Sequence, residues 1–505
     1  MKPISATDAY NHTICPTRPW LDVRGNPDLR DPAGEFAEML WAHGLSHEAA
    51  IATVVGQFTD ISKLPRVERQ QATLEAMRRG DRLIYQGRLV TTGRVGEPDF
   101  LELTTNGKYR PMDAKAGAGL EGEDDEVGRL KKSYAVQLAH YYAQLEELGF
   151  ADTNREAAVV DSSKVRVPYP LDELTGKRSD VTWMQFYQGV ATDLRAALQQ
   201  DAPPRPALSA TCKQCHWATH CKAQVMASND LSRIAELGRS KRDVMVGSFE
   251  SVADLAAANV EAYMQGKKTV FRGIGPDTLR KFHARAVLLS TPGARPYIKI
   301  DPALPMARRE ILFDIEADPL RNGGFIYLHG CVERLSGIQA SARFKPFVTP
   351  DISGDAEQEA FRGCWEYLKG CLPDSVIYYY APYEKVSYRK LADRYPAVCS
   401  VEDVEDFFAN PNVIDLYAVI RKCTEWPVSD MSVKTIAKYL GFNWRDSNPS
   451  GAASIQWFHD WVKTGDQAIL DRITAYNEDD CLAMGVVLDG VRQMCRESMP
   501  EALAA

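Results

Sequence analysis

Four sets of residues in this chain have types and spacings that can do chemistry. Asp113 and Lys115 end a strand-like run, Tyr109 to Lys115, and residues two apart on a strand leave the same face. Asp99 opens the preceding run, Asp99 to Leu103. Two carboxylates converging from adjacent strands can hold Mg²⁺, which takes oxygen ligands and keeps several waters. Such an ion lowers the pKa of a bound water and stabilises charge developing on a phosphorane, while a lysine beside it orients that water or balances charge. Gln137 and Tyr141, four apart on a helix expected over Leu130 to Leu148, share one face. His47, followed by Glu48, offers an imidazole from a separate amphipathic helix expected over Pro32 to Val55, with apolar Phe36, Leu40 and Leu45.

The second set repeats the carboxylate theme. Asp314 and Glu316 end the apolar strand Glu310 to Glu316 and face one side; Tyr476 and Asp480 share a face of a late helix, Ile473 to Cys495. Between them, Tyr379-Tyr-Ala-Pro-Tyr-Glu384 follows a strand over Ser375 to Ala381. Carboxylates from a strand, a middle helix start and a late helix can hold two metals ~4 Å apart, the geometry of in-line phosphodiester attack, with Tyr476 holding the attacking water. Asp415 is an alternative to Glu384, and Asp479 is the neighbour most easily confused with Asp480.

The third set is Cys212-x2-Cys215-x5-Cys221, with Cys15 alone in the 211 residues before it. Four thiolates suit Zn²⁺ or an iron–sulfur cluster, and His216 and His220 could complete a zinc site. The fourth is Phe271-Arg-Gly-Ile-Gly-Pro-Asp-Thr-Leu-Arg-Lys281, where Gly273 and Gly275 lie between two helical stretches. Glycines there let backbone N–H groups approach a phosphate at a helix N-terminus, and Arg272, Arg280, Lys281 and Arg285 supply charge.

These residues need elements to hold them. Further strands are expected over Arg82 to Val90, Val159 to Val167, Gly324 to Glu333 and Ser341 to Val348, and a helix over Asp180 to Gln200; residues 226–300 read as all-helical. The 505 residues are 45% hydrophobic and 25% charged, ordinary for a globular protein and long enough for about three domains. The start lacks a secretory apolar region, no run approaches a membrane span, and the 11 cysteines are too few for a disulfide scaffold, so a cytoplasmic protein with reduced thiols is expected. No phosphate-loop motif of the Gly-x-x-x-x-Gly-Lys-[Ser/Thr] type occurs. The formal net charge of −8 by itself argues against a nucleic-acid partner, but residues 211–300 carry 14 Lys and Arg against 7 Asp and Glu. The acidic stretch Glu121 to Glu126 reads as a solvated loop.

In order and together, His47, Asp99, Asp113 with Lys115, and Gln137/Tyr141 resemble the RecB-like nucleases of the PD-(D/E)xK superfamily. The resemblance implies a restriction-endonuclease-like fold, His and Asp ligands for Mg²⁺ or Mn²⁺, a catalytic Lys115, and a Gln-x-x-x-Tyr element that positions DNA. Motif three is here Asp-x-Lys where Glu-x-Lys is commoner. One cysteine before these motifs and three after them resemble the [4Fe–4S]-stapled members of that group, which implies that Cys15, Cys212, Cys215 and Cys221 hold a structural cluster, with Zn²⁺ as the alternative. Asp314, Glu316, Glu384, Tyr476 and Asp480 resemble the DnaQ-like exonucleases of the RNase H fold, with YprB-like texture in Lys434 and Gly441-Phe-Asn-Trp444. Glu384 stands where that family has Asp. The Gly-Ile-Gly segment resembles a helix-hairpin-helix.

The expectation is therefore an α/β chain: a RecB-like domain over 1–225, a basic helical connector over 226–305 and a DnaQ/YprB-like domain over 306–505. The resemblance implies a metal-dependent nuclease with two sites, acting on DNA that is single-stranded or has a free end, in repair or phage defence. A helicase or defence partner in trans is expected, and no membrane. A DNA-gripping scaffold with silent sites and a 3′–5′ RNA-processing exonuclease remain open.

Overall fold

The computed structural model describes residues 3–122, 128–305, 307–321, 324–447 and 449–498, without the side chains of residues 35, 36 and 373. Most of the acidic stretch (123–126) and the Phe36 side chain thus lie outside the described residues. Contacts divide the chain into two compact units, residues 1–206 with 211–220 and residues 207–210 with 221–505. No helix among the described residues is long and apolar enough to cross a membrane.

In the first unit the chain forms α1 (Ala6–Ile14), α2 (Glu35–Val54), β1 (Thr59–Asp60), β2 (Leu83–Tyr85), β3 (Phe100–Leu103), β4 (Tyr109–Ala114), α3 (Lys132–Glu147), β5 (Glu156–Val160), β6 (Arg166–Pro170) and α4 (Trp183–Gln199). The strands make one sheet in the order β6-β5-β4-β3-β2-β1. Strands β2, β3 and β4 are antiparallel neighbours, whereas β5 runs parallel to β4. A parallel pair needs a crossover, and α3 supplies it. Helix α3 forms because Tyr134, Leu138, Tyr142 and Leu145 recur at helical spacing and are buried. Ile51 and Ala52 of α2 pack against Leu83, Phe100, Met112 and Val160 on the other side.

Two strand expectations change. Val159 to Val167 is a hairpin, because Asp161 accepts backbone N–H bonds from Ser163 and Val165 and Lys164 takes φ 62°, turning β5 into β6. Arg82 to Val90 splits at Gln86 (φ 53°) into β2 and a strand Leu89–Thr91 of a separate three-stranded sheet.

The second unit begins with short helices around Leu231, Phe249, Leu255, Phe271, Leu279 and Phe282, ending in α5 (Pro276–Ser290). It is not all-helical, since Met264–Gln265 and Lys268–Thr269 form a hairpin and Tyr297–Ile298 pairs with Thr424–Glu425. Then follow β7 (Arg309–Asp318), β8 (Phe325–Leu335), β9 (Ile338–Val348), α6 (Gly354–Cys371), β10 (Ser375–Tyr379), α7 (Tyr383–Arg394), β11 (Val413–Asp415), α8 (Val433–Tyr439), α9 (Gly451–Thr464) and α10 (Gln467–Ser498).

The sheet order is β9-β8-β7-β10-β11. Strands β7, β8 and β9 are an antiparallel meander, and β10 and β11 continue parallel to β7. Alternation along β7 sorts its side chains. Ile311, Phe313 and Ile315 pack with Phe361, Cys364 and Trp365 of α6. Leu312 packs on the opposite side with Met484 and Leu488 of α10, and Asp314 and Glu316 share that side. Buried Arg285 joins α5 to the rest of the unit, 2.6 Å from Glu425 and 2.8 Å from Glu236.

Candidate functional site

In the second unit three of the four carboxylates expected to meet, Asp314, Glu316 and Asp480, come together. Asp314, Glu316 and Asp480 offer ligand oxygens that all lie within 4.8 Å of one another. They line a cavity of about 280 Å³ with Tyr383, Gly451, Ile455 and Tyr476. Burial, then Asp480, pushes the Asp314 carboxyl well above its ordinary range. Burial, then Asp314 and Asp480, does the same to Glu316. Three mutually repelling carboxylates in one buried pocket are a site that a cation relieves.

Glu384, at the start of α7, is buried with its Oε2 lacking a hydrogen-bond partner, and burial followed by the Asp314 charge raises it strongly. An orphaned carboxylate oxygen beside that cluster fits a divalent ion, so the donor set passes on its own chemistry. Asp415 is engaged otherwise: its Oδ1 accepts from Ala418 N and Ala381 N, each at 3.1 Å, as a helix N-cap. Asp479 is bound by Arg445 through backbone N and Nε, both 2.8 Å, which separates it from Asp480.

Supporting residues come from further elements; the sequence singles out Lys434 and Trp444 with its motifs, but not Asn477, Gly330, Tyr327 or Ser454. Asn477 Nδ2 donates to Asp314 Oδ2 at 2.7 Å. It comes that close because Gly330 of β8 pairs with Asp314 of β7, and an added Cβ at Gly330 would fall 1.6 Å from Asn477 Oδ1. Tyr327 OH lies 2.7 Å from Ser454 Oγ and 3.4 Å from Glu316 Oε2. Trp444 Nε1 donates to Asp480 Oδ1 at 2.7 Å. Lys434 Nζ donates to the Tyr476 hydroxyl and lies 3.6 Å from Asp480 Oδ2. Gly330 and Asn477 carry no sequence signal for this role, since neither is a ligand type in a ligand pattern.

In the first unit Asp99 directly precedes β3 and Asp113 lies near the end of the neighbouring β4, with Asp99 N donating to Asp113 Oδ1 at 3.3 Å. Lys115 Nζ bridges Asp113 Oδ2 and Gln137 Oε1, both at 2.9 Å. Gln137 Nε2 donates to Tyr141 OH at 3.1 Å, and Tyr141 OH donates to Glu97 O at 3.3 Å. Five expected residues are thus one connected network. Gly96 permits it: a Cβ there would fall 2.7 Å from the Tyr141 ring. Burial, then Asp113, pushes Asp99 well above its ordinary range. Burial works against the Lys115 charge, but Asp113 and Asp99 outweigh it and hold the ammonium above its usual value.

His47 presents a buried Nε2 without a hydrogen-bond partner. The contacts that reach Asp99 from α2 belong to its neighbour Glu48, which accepts from Gln86 Nε2, itself 3.2 Å from Asp99 Oδ1. Glu48 was visible as a carboxylate beside His47; its register against the sheet was not.

Cys15 caps the C-terminal end of α1, and Cys212 and Cys215 lie in a 3₁₀ turn, Ala210–Gln214, and just after it. Burial raises the Cys215 thiol, and the Cys15 and Cys212 thiols add to that rise. Three of the four thiols therefore lie within electrostatic reach of one another. Cys221 is on the helix Ala218–Ala227. His216 Nε2 is engaged by Asp22 Oδ1 at 2.6 Å.

In the Gly-Ile-Gly segment Gly273 takes φ 78° and Gly275 is the N-cap of α5, with Pro276 in its first turn. The hairpin, not a helix, directly precedes it. Arg272 is exposed, whereas Arg280 is held by Glu261 at 2.8 Å and Lys281 by Glu236 at 3.0 Å.

Residues 311–491 match the model of the RNase H superfamily. That range contains Asp314, Glu316, Glu384, Tyr476 and Asp480, and the match supports an RNase H-like domain of nuclease type there. No curated protein and no solved structure matches the chain.

Proposed function

We propose that the protein is a metal-dependent nuclease with two phosphodiester-cleaving centres, one in each unit, acting on DNA that is single-stranded or has a free end. The observation that carries this reading is the convergence of Asp314, Glu316 and Asp480 within 4.8 Å, beside the orphaned Glu384 oxygen. Asp314, Glu316 and Asp480 would hold one Mg²⁺ or Mn²⁺, and Asp314 with Glu384 a second. The metal supplies Lewis acidity and a nucleophilic water at neutral pH. Asn477 and Tyr327 fix Asp314 and Glu316, Trp444 fixes Asp480, and Tyr476 presents its hydroxyl to the water. In the first unit Asp99, Asp113, Glu48 and His47 are the donors for a metal, Lys115 is the catalytic lysine, and Gln137 and Tyr141 hold it in line. A meander followed by a parallel strand through α3 supports reading this unit as a RecB-like fold. The gathered Cys15, Cys212 and Cys215 support a four-cysteine [4Fe–4S] centre with Cys221 (Zn²⁺ the alternative). Gly273, Gly275 and Arg272 suit contact with a DNA phosphate, with Arg280 and Lys281 released from their carboxylate partners to join it. A helicase or defence partner in trans and a role in repair or phage defence complete the reading.

The test is cleavage of end-labelled single-stranded DNA, duplex DNA and RNA with Mg²⁺, Mn²⁺ or EDTA. Asp314→Asn and Lys115→Ala should each abolish one activity, by about 10²-fold or more. A wild type that cuts nothing overturns the reading, and cleavage of RNA alone reassigns the substrate.

A further inference from the structure

We propose that Lys434 is a positioning residue for the Tyr476 hydroxyl at the Asp314–Glu316–Asp480 centre; this rests on the nuclease reading of that centre. Lys434 sits in the first turn of α8, whose N-cap Ser432 accepts from Thr435 N. Its Nζ has two hydrogen-bond acceptors, Tyr476 OH and Pro449 O, the latter at 3.2 Å. The ammonium also stands 4.6 Å from the Tyr476 ring centre and 3.6 Å from Asp480 Oδ2. An ammonium has three donors and no acceptor. The Tyr476 oxygen therefore receives from Lys434, and its own proton is turned away from that side, toward Asp480 and the cavity that both residues line.

The Tyr476 ring packs edge-on to Trp457 at 5.9 Å. A phenol with one rotatable O–H needs a fixed partner if it is to aim that proton, and Lys434 is that partner. The same ammonium opposes the carboxylate crowding: its charge lowers Asp480 against the burial that raises it. Lys434 thus ties the hydroxyl and one metal-facing carboxylate to a single cation that approaches from α8, an element separate from the helix that carries both.

The experiment is a double-mutant cycle on the full chain, with Lys434→Met, Tyr476→Phe and the double variant assayed for Mn²⁺-dependent cleavage by the second unit in a Lys115→Ala background. Each single variant should lose roughly 10- to 10²-fold in kcat, the range for residues that orient a metal site through another group, with KM nearly unchanged. Lys434→Met should cost several-fold less once Tyr476 is Phe, since coupled residues are non-additive and only its effect on Asp480 remains. Lys434→Arg should recover part of the rate. If Lys434→Met does not fold, Lys434→Leu, which likewise has no donor, takes its place in the cycle. Additive losses, or a change confined to KM, overturn the proposal while leaving the nuclease reading intact. A Lys115→Ala protein without cleavage, or one whose cleavage survives Asp480→Asn, overturns the reading and this proposal with it.

Discussion

The two carboxylate centres are built on opposite electrostatic plans. In the first unit a lysine lies inside the site: Lys115 bridges Asp113 and Gln137 at 2.9 Å, and the carboxylates have a permanent counter-charge. In the second, three carboxylates crowd one cavity with Glu384 close to Asp314, and a cation, Lys434, stands 3.6 Å from one of them. The first centre has one of its carboxylates paired before any metal arrives, although Asp113 still raises Asp99. The second holds its shape against its own repulsion, through neutral donors such as Asn477 and Trp444, and leaves the balancing to a bound ion.

The sharpest way to break this comparison is to neutralise one carboxylate in each centre and watch the sign. Asp113→Asn leaves Lys115, whose side chain is 18% exposed, without its ion-pair partner and should destabilise the first unit by about 3 kcal/mol or more. Asp314→Asn removes one of three repelling charges while its amide oxygen still accepts from Asn477. In EDTA it should stabilise the second unit, raising its urea midpoint. Urea unfolding followed by hydrogen exchange assigns each change to its unit. Equal signs would mean that the two centres do not differ as described.

Metal should separate them next. Mg²⁺ or Mn²⁺ at about 100 times its Kd stabilises a binding-competent fold by about 2.7 kcal/mol. The second unit, with more uncompensated charge, should gain most of the shift in thermal unfolding, roughly 5 °C or more, and Asp314→Asn should remove it. A larger gain in the first unit would reverse the comparison.

These differences explain what the sequence could and could not reveal. Residues that act through short periodicities were legible: Asp314 with Glu316 and Asp113 with Lys115 share strand faces, and Gln137 with Tyr141 shares a helix face. The match of residues 311–491 to the RNase H superfamily agrees with that reading of the C-terminal part. Residues whose role depends on which element meets which were not legible. Glu48 reaches the Asp99 network because of how α2 lies against the sheet, and Gly330 matters because Asn477 of a helix nearly 150 positions later needs its space. Charges were misleading for the same reason. Arg280, Lys281 and Arg285 count toward a basic stripe, yet Glu261, Glu236 and Glu425 meet them inside the unit.

One property is shared by both units and shows only as the pH falls. Each buries a neutral histidine whose pKa burial depresses to about 3: His140 in the first and His329 in the second. They differ in bonding. His140 uses both ring nitrogens, Nε2 toward Val95 O at 3.1 Å and Nδ1 toward Tyr187 OH at 3.2 Å. His329 uses Nδ1 toward Tyr388 OH at 3.0 Å, and its Nε2 has no partner. An unfolded histidine takes up a proton near pH 6.5, so the unfolded state binds more protons below that value. Stability contributed by the neutral ring is whole above pH 6.5 and is lost as the pH falls from there toward about 3, at ~1.4 kcal/mol per pH unit for each histidine. His329→Phe should flatten that acid slope in the second unit, because the ring stacks on Phe361 (6.4 Å) and Tyr388 keeps Cys364 Sγ at 3.2 Å. The slope of the first unit should stay, because His140 is untouched. Unfolding by urea at pH 7, 6 and 5 reads both slopes. If His329→Phe leaves the slope of the second unit unchanged, that slope belongs to other groups and the shared feature is confined to the first unit.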